Sequence, residues 1–248
     1  MNIYHIILMQ TMDARRTEFV RLLETYDEQG SLEYITKYDD FYDAIMNDQY
    51  RTNMLQHACR YRLERVALAL IDKNCDLTYQ DHFGITALMI AGCYELKNVV
   101  AYIIDKSPDT TTRNSNQGMS EMMYICLDKD IKNLIKMIDR GYDIYYKNDI
   151  NESLFTYAVK HMVGEVVKKL IDIDINFASE FNILYNKTEN KDKFYDDIGK
   201  YCRDKRDAIK TRIIATMNDA SPANALYKSF HKTYAIQLVD VICDFIIL

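Results

Sequence analysis

A pattern that returns about every 33 residues constrains this chain more than any other feature. Leu55, Leu88, Met122 and Phe155 stand 33, 34 and 33 residues apart. Three residues after each lies Ala58, Ala91, Ile125 or Ala158, and sixteen after each lies Ile71, Ile104, Ile138 or Ile171. Twenty-one after each lies Asp76, Asp109, Asp143 or Asn176. A period of this length predicts stacked supersecondary units rather than one continuous globular core. Stacked units build extended surfaces, which directs the functional reading toward binding.

Residues 84–114 give the clearest unit. Thr86 is placed to cap a helix by accepting a backbone N–H, and Leu88 and Ala91 share one helical face. After a break between Gly92 and Leu96, Val99, Val100, Ile103 and Ile104 form a second apolar stripe at helical spacing. Ser107-Pro108-Asp109 stops that helix, because proline cannot continue it. The unit therefore reads as helix, turn, helix, loop. Two short helices cannot bury both faces alone, so each unit must lean on its neighbours.

These residues resemble the ankyrin-repeat family. Its signature runs Gly-x-Thr-Pro-Leu-His-x-Ala, then a second helix ending in paired leucines, then Gly-Ala-Asp. Gly84-x-Thr86-Ala87-Leu88-Met89-x-Ala91 is the best match, and Gly141-Tyr142-Asp143 is close to the last motif. Leu70-Ile71, Ile103-Ile104, Met137-Ile138 and Leu170-Ile171 fill the paired apolar positions. No unit keeps the family's proline or histidine, so the capping bonds made by that histidine must be replaced or lost. The composition is rich in Asn, Ile, Lys, Tyr and Asp. With the eroded repeats, it resembles the ankyrin families of large DNA viruses of protists. The Leu-Pro start of the F-box-like segment in poxvirus ankyrin proteins is absent.

The resemblance implies an all-α ankyrin-like helix-turn-helix solenoid with a helical C-terminal cap. Residues 1–47 read as a degenerate N-terminal repeat or cap, with Leu22 as anchor, Tyr34-Ile35 in the second helix and Asp43 in the aspartate position. Residues 48–185 hold four repeats, and 186–248 form the cap or an interaction segment. Two helices are predicted there, roughly over 193–216 and 222–246. Ser221-Pro222 starts the second, and Leu226, Phe230, Tyr234, Leu238 and Ile242 line one face of it. Seven glycines and two prolines in 248 residues leave little room for hairpin turns, which also favours helices.

Several functions are disfavoured. The net charge of −6, without a basic run, argues against nucleic acid and against anionic membranes. The six cysteines form no Cys-x-x-Cys and read as small apolar fillers in a reducing compartment. The apolar N-terminus lacks the features of a signal peptide. The run 236–248 carries Asp240 and Asp244 and is shorter than the ~20 residues a span needs. The five histidines show no metal-ligand spacing, and Asp39-Asp40 and Asp196-Asp197 are adjacent pairs that diverge on a helix. No phosphate loop or nucleophile elbow is present. The chain therefore reads as a non-enzyme with no cofactor and no metal, in the cytoplasm (the host's, if viral).

The resemblance places a protein partner on the concave side, formed by the loop tips and the first helices. Tyr50, Arg60, Tyr61, His82, Phe83 and Tyr94 are the candidate contact residues, because aromatics and arginine dominate interface hot spots. The same rings could instead pack inside a tyrosine-rich chain. Two other roles stay open: self-association through the C-terminal helix, which would make a homo-oligomer of an expected monomer, and an adaptor recruiting a host enzyme through 190–248.

Overall fold

The computed structural model describes residues 3–189, 191–221, 223–230, 239 and 241, with the side chains of 3–11, 226 and 230 excepted. Among them every regular element is an α-helix, and the chain divides into two compact units, Met1–Tyr157 and Ala158–Leu248. No described helix is long and apolar enough to cross a membrane.

In the first unit α1 (Ile3–Glu24) and α2 (Glu28–Lys37) lead into α3 (Met54–Arg60) with α4 (Glu64–Asp72), α5 (Ala87–Cys93) with α6 (Lys97–Lys106), and α7 (Glu121–Leu127) with α8 (Ile131–Asp139). The unit border cuts α9 (Leu154–Lys160), which is followed by α10 (Gly164–Ile173). The short helices α3, α5, α7 and α9 begin 33, 34 and 33 residues apart, and so do their partners α4, α6, α8 and α10. α1 packs on α3, α3 on α5 and α5 on α7, while α2 packs on α4, α4 on α6 and α6 on α8. The anchor and paired apolar residues fill the space between these two rows: Leu55, Leu88, Met122, Leu70, Ile71, Ile103 and Ile104 are all buried.

Backbone chemistry repeats with the same period. Asn53, Thr86, Ser120 and Ser153 each accept the amide of the residue three further on, satisfying a first-turn donor. The residue three past each cap makes a different contact in each pair. The Gln56 amide caps Asn53 and donates to the Ile85 carbonyl at 2.6 Å. Met123 offers its sulfur to Ser120 N–H, and Thr156 its hydroxyl to Ser153 N–H. At the second pair the Thr86 hydroxyl donates to buried Glu121 at 2.8 Å. The turn between paired helices is closed by a left-handed residue, Arg62, Glu95, Lys129 or Met162. None is glycine, so each carries the Cβ penalty of that region.

The first pair follows a different offset from the sequence reading. Tyr26 takes the left-handed position 36 residues before Arg62, and Phe19, fully buried, stands 36 before Leu55. Leu22 therefore matches Ala58 rather than Leu55. Phe19 packs with Phe41 and Tyr34 in an aromatic cluster. The register is recovered in the following loop, where the Asp43 carboxylate accepts the amide of Asp76, 33 residues on.

In the second unit α10 is followed by α11 (Asn176–Lys187), α12 (Lys193–Asn218) and α13 (Ala225–Phe230). α12 packs against α10 as a further second helix. In the first unit Asp72 receives Tyr102 and Lys106 from the next pair, and Asp105 receives Lys136 and Arg140. Here Asp172 receives Tyr201 and Lys205, while Ile198 and Cys202 bury themselves below. α12 then runs on for thirteen residues beyond Lys205. Most of the predicted 222–246 helix, with Tyr234, Leu238 and Ile242 on its face, lies outside the described residues.

Candidate functional site

The loop tips are built before any side chain is presented. Each tip is a turn whose fourth residue is left-handed: Arg51, Gly84, Gly118 and Asn151. Three residues earlier stand Asp48, Asp81, Ser115 and Asn148, spaced 33, 34 and 33 apart. Asp48 accepts the amides of Tyr50 and Arg51, Asp81 those of Phe83 and Ile85, and Asn148 those of Ile150 and Glu152. Ser115 accepts from Met119. Short polar side chains thus satisfy amides that a tight turn leaves unpaired. The carbonyls of the first three left-handed residues are also clasped, Arg51 by the Tyr79 hydroxyl, Gly84 by Gln80 and Gly118 by the Tyr146 hydroxyl. Successive tips are bonded together: His82 N–H donates to Tyr50 C=O, and Asn116 N–H to Phe83 C=O. Gly84 is required at its tip, because φ is +72° and a Cβ would meet the Asn114 carbonyl at 2.8 Å.

On this frame four of the six candidate residues meet. The Tyr50 and Phe83 rings lie 5.9 Å apart and remain 39% and 45% exposed. His82 sits edge-on to Phe83 at 5.4 Å. Arg60 reaches back from the end of α3 to lie 5.5 Å over the Tyr50 ring. Its Nη2 pairs at 3.3 Å with Asp81, whose side chain has no exposure. A flexible cation is thereby held in one place, stacked on an aromatic face.

Tyr61 and Tyr94 make other contacts. Tyr61 stacks on His57 at 6.3 Å and meets Tyr26 edge-on at 5.8 Å. Tyr94 lies under the Arg62 guanidinium, 5.1 Å from it. His57 bonds Thr52 through Nε2 at 2.7 Å. Burial, then the nearby Arg60 charge, lowers its pKa to about 4, so it stays neutral at physiological pH. The sequence reading missed Arg51 and Asp81; Ile150, which the register maps to the fourth tip, is 74% exposed. The spacing of Asp48, Asp81, Ser115 and Asn148 was the available signal.

Among the described residues no group of three or more His, Cys, Asp or Glu side chains is placed to hold a metal. A cavity of about 200 Å³ in the second unit is lined by residues including Phe181, Tyr185, Cys202, Arg203 and Arg206. Burial pushes the Cys202 thiol up to about 11, which leaves it protonated and a poor nucleophile. No protein-family model matches the chain, and no curated protein matches it.

Proposed function

We propose that this chain is an ankyrin-like helical solenoid that binds a protein partner non-covalently and carries no chemistry of its own. The face would be the concave side, entered at the first two loop tips. One observation carries the reading: Tyr50 and Phe83 stand exposed and in contact on turns fixed by Asp48 and Asp81, with Arg60 held over Tyr50. Large rings on pre-ordered backbone lose little entropy on binding, and aromatic and arginine groups dominate measured hot spots.

The test is affinity capture from cell lysate with the intact chain and with a Tyr50→Ala, Phe83→Ala variant of unchanged helicity. Removing two hot-spot rings weakens binding by about 2 kcal/mol or more, some thirtyfold. A partner captured by the intact chain and lost by the variant supports this face. A partner retained equally by both removes the function from these tips.

A further inference from the structure

The binding face carries more hydrogen-bond donors than its own carboxylates can satisfy. Arg60 uses one of its five N–H groups, on Asp81. Arg51, at the first tip, and Arg62, two residues past α3, are exposed, and among the described residues no carboxylate forms an ion pair with either. The neighbouring acids are already engaged: Asp48 accepts two backbone amides, and Asp81 accepts two amides besides Arg60. Glu95, exposed and next to Tyr94, bounds the basic stretch at that end. Guanidinium groups with free donors match carboxylates in bidentate geometry. Tyr50 and Phe83 between them offer an apolar surface to the residue beside such a carboxylate.

We propose that the partner segment is a short, extended acidic peptide with an Asp or Glu next to an aromatic or large aliphatic side chain. This rests on the face described above being the working one. The apolar side chain lies on Tyr50 and Phe83, and the carboxylates meet Arg51, Arg60 and Arg62. Arg51 and Arg62 flank the seven-residue α3, a separation on the order of 10–15 Å. About four extended residues cover that distance, so acidic residues a few positions apart can engage both ends.

The experiment is selection of a random-peptide display library on the full chain, followed by anisotropy titration of the enriched peptides. Arg51→Asn with Arg62→Asn is the informative variant. Asn tolerates the left-handed conformation of both positions, so the charge is removed without strain, and helicity checks the fold. The expected consensus pairs an acid with an aromatic or aliphatic residue. The double variant then binds about tenfold or more weakly, and affinity falls with salt. Enriched peptides without an acid, binding indifferent to the Asn substitutions and salt, or no enrichment at all each overturn the proposal. Non-acidic peptides that still lose binding on Tyr50→Ala, Phe83→Ala would sink the acidic class alone. Peptides indifferent to that variant too would sink the face itself.

Discussion

Glu121 should make the first unit weaken as pH rises through neutrality. Its side chain is at the start of α7, 5% exposed, with the Thr86 hydroxyl as hydrogen-bond donor. Desolvation is the dominant influence, only partly offset by Thr86 and the Arg113 charge, while Asp109 adds to it; the pKa is raised to about 7 from an ordinary 4.5. A raised acid pKa means that the folded state holds a proton the unfolded chain has released. Stability from this group is therefore fully present below about pH 4.5 and is lost as pH climbs through about 7. At about 1.4 kcal/mol per pH unit, the loss comes to about 3 kcal/mol. Glu121→Gln keeps an acceptor for Thr86 and cannot ionise. Urea unfolding followed by circular dichroism at pH 4.5 and pH 8.5, on both proteins, isolates the effect, because the other titrating groups cancel in the comparison. The two should be similar in acid, and the Gln variant should be more stable by about 3 kcal/mol in base. Parallel stability curves across that range would refute the reasoning, since they would mean that water reaches the carboxylate or a cation pairs with it.

Three further outcomes follow from the backbone and the thiols. Glu95→Gly relieves a left-handed Cβ at φ +59°; less the extra entropy of glycine in the unfolded chain, it should raise unfolding free energy by about 0.5–1 kcal/mol in denaturant titration. Gly84→Ala should lower it by about 2 kcal/mol or more, because φ is +72° and the Asn114 carbonyl blocks the new methyl; an unchanged melting temperature would contradict this. Among Cys59, Cys75, Cys93, Cys126 and Cys202, a thiol reagent applied to the native protein should modify Cys93 first, as read by peptide mass mapping. It alone of these is exposed, whereas burial pushes Cys126 up to about 12.

The helices of the central pairs were legible because their signal is local. A cap, an apolar stripe and a stop recur within each 33-residue stretch, and α3 to α10 begin where that register predicts. The first pair was misaligned by three residues because Leu22 and Phe19 are both apolar and both buried. Only the packing against Phe41 and the left-handed turn at Tyr26 identify Phe19 as the equivalent of Leu55. The place of α12 was hidden for the opposite reason. The preceding loop and first helix no longer match the pattern, while the Asp172, Tyr201 and Lys205 set survives in residues far apart in sequence. At the candidate site the tip positions could be mapped, but side-chain reach could not. Arg60 turns back to Asp81 and Tyr50, while Tyr61 turns to His57 and Tyr26.

The clasped tip carbonyls bear on how such a chain can change over evolutionary time. Tyr79 and Gln80 hold the Arg51 and Gly84 carbonyls, and Tyr146 holds that of Gly118. A one-residue insertion between Asp76 and Tyr79 would carry the Tyr79 hydroxyl out of phase with the Arg51 carbonyl it holds. Copying or deleting a whole unit would leave the spacing within each remaining tip unchanged. Substitutions can accumulate freely at exposed tip positions such as Gln117, so the contact chemistry can drift while the spacing between contacts does not. Within the clasped loops, the lineage of such a protein should record many changed letters and few changes of length.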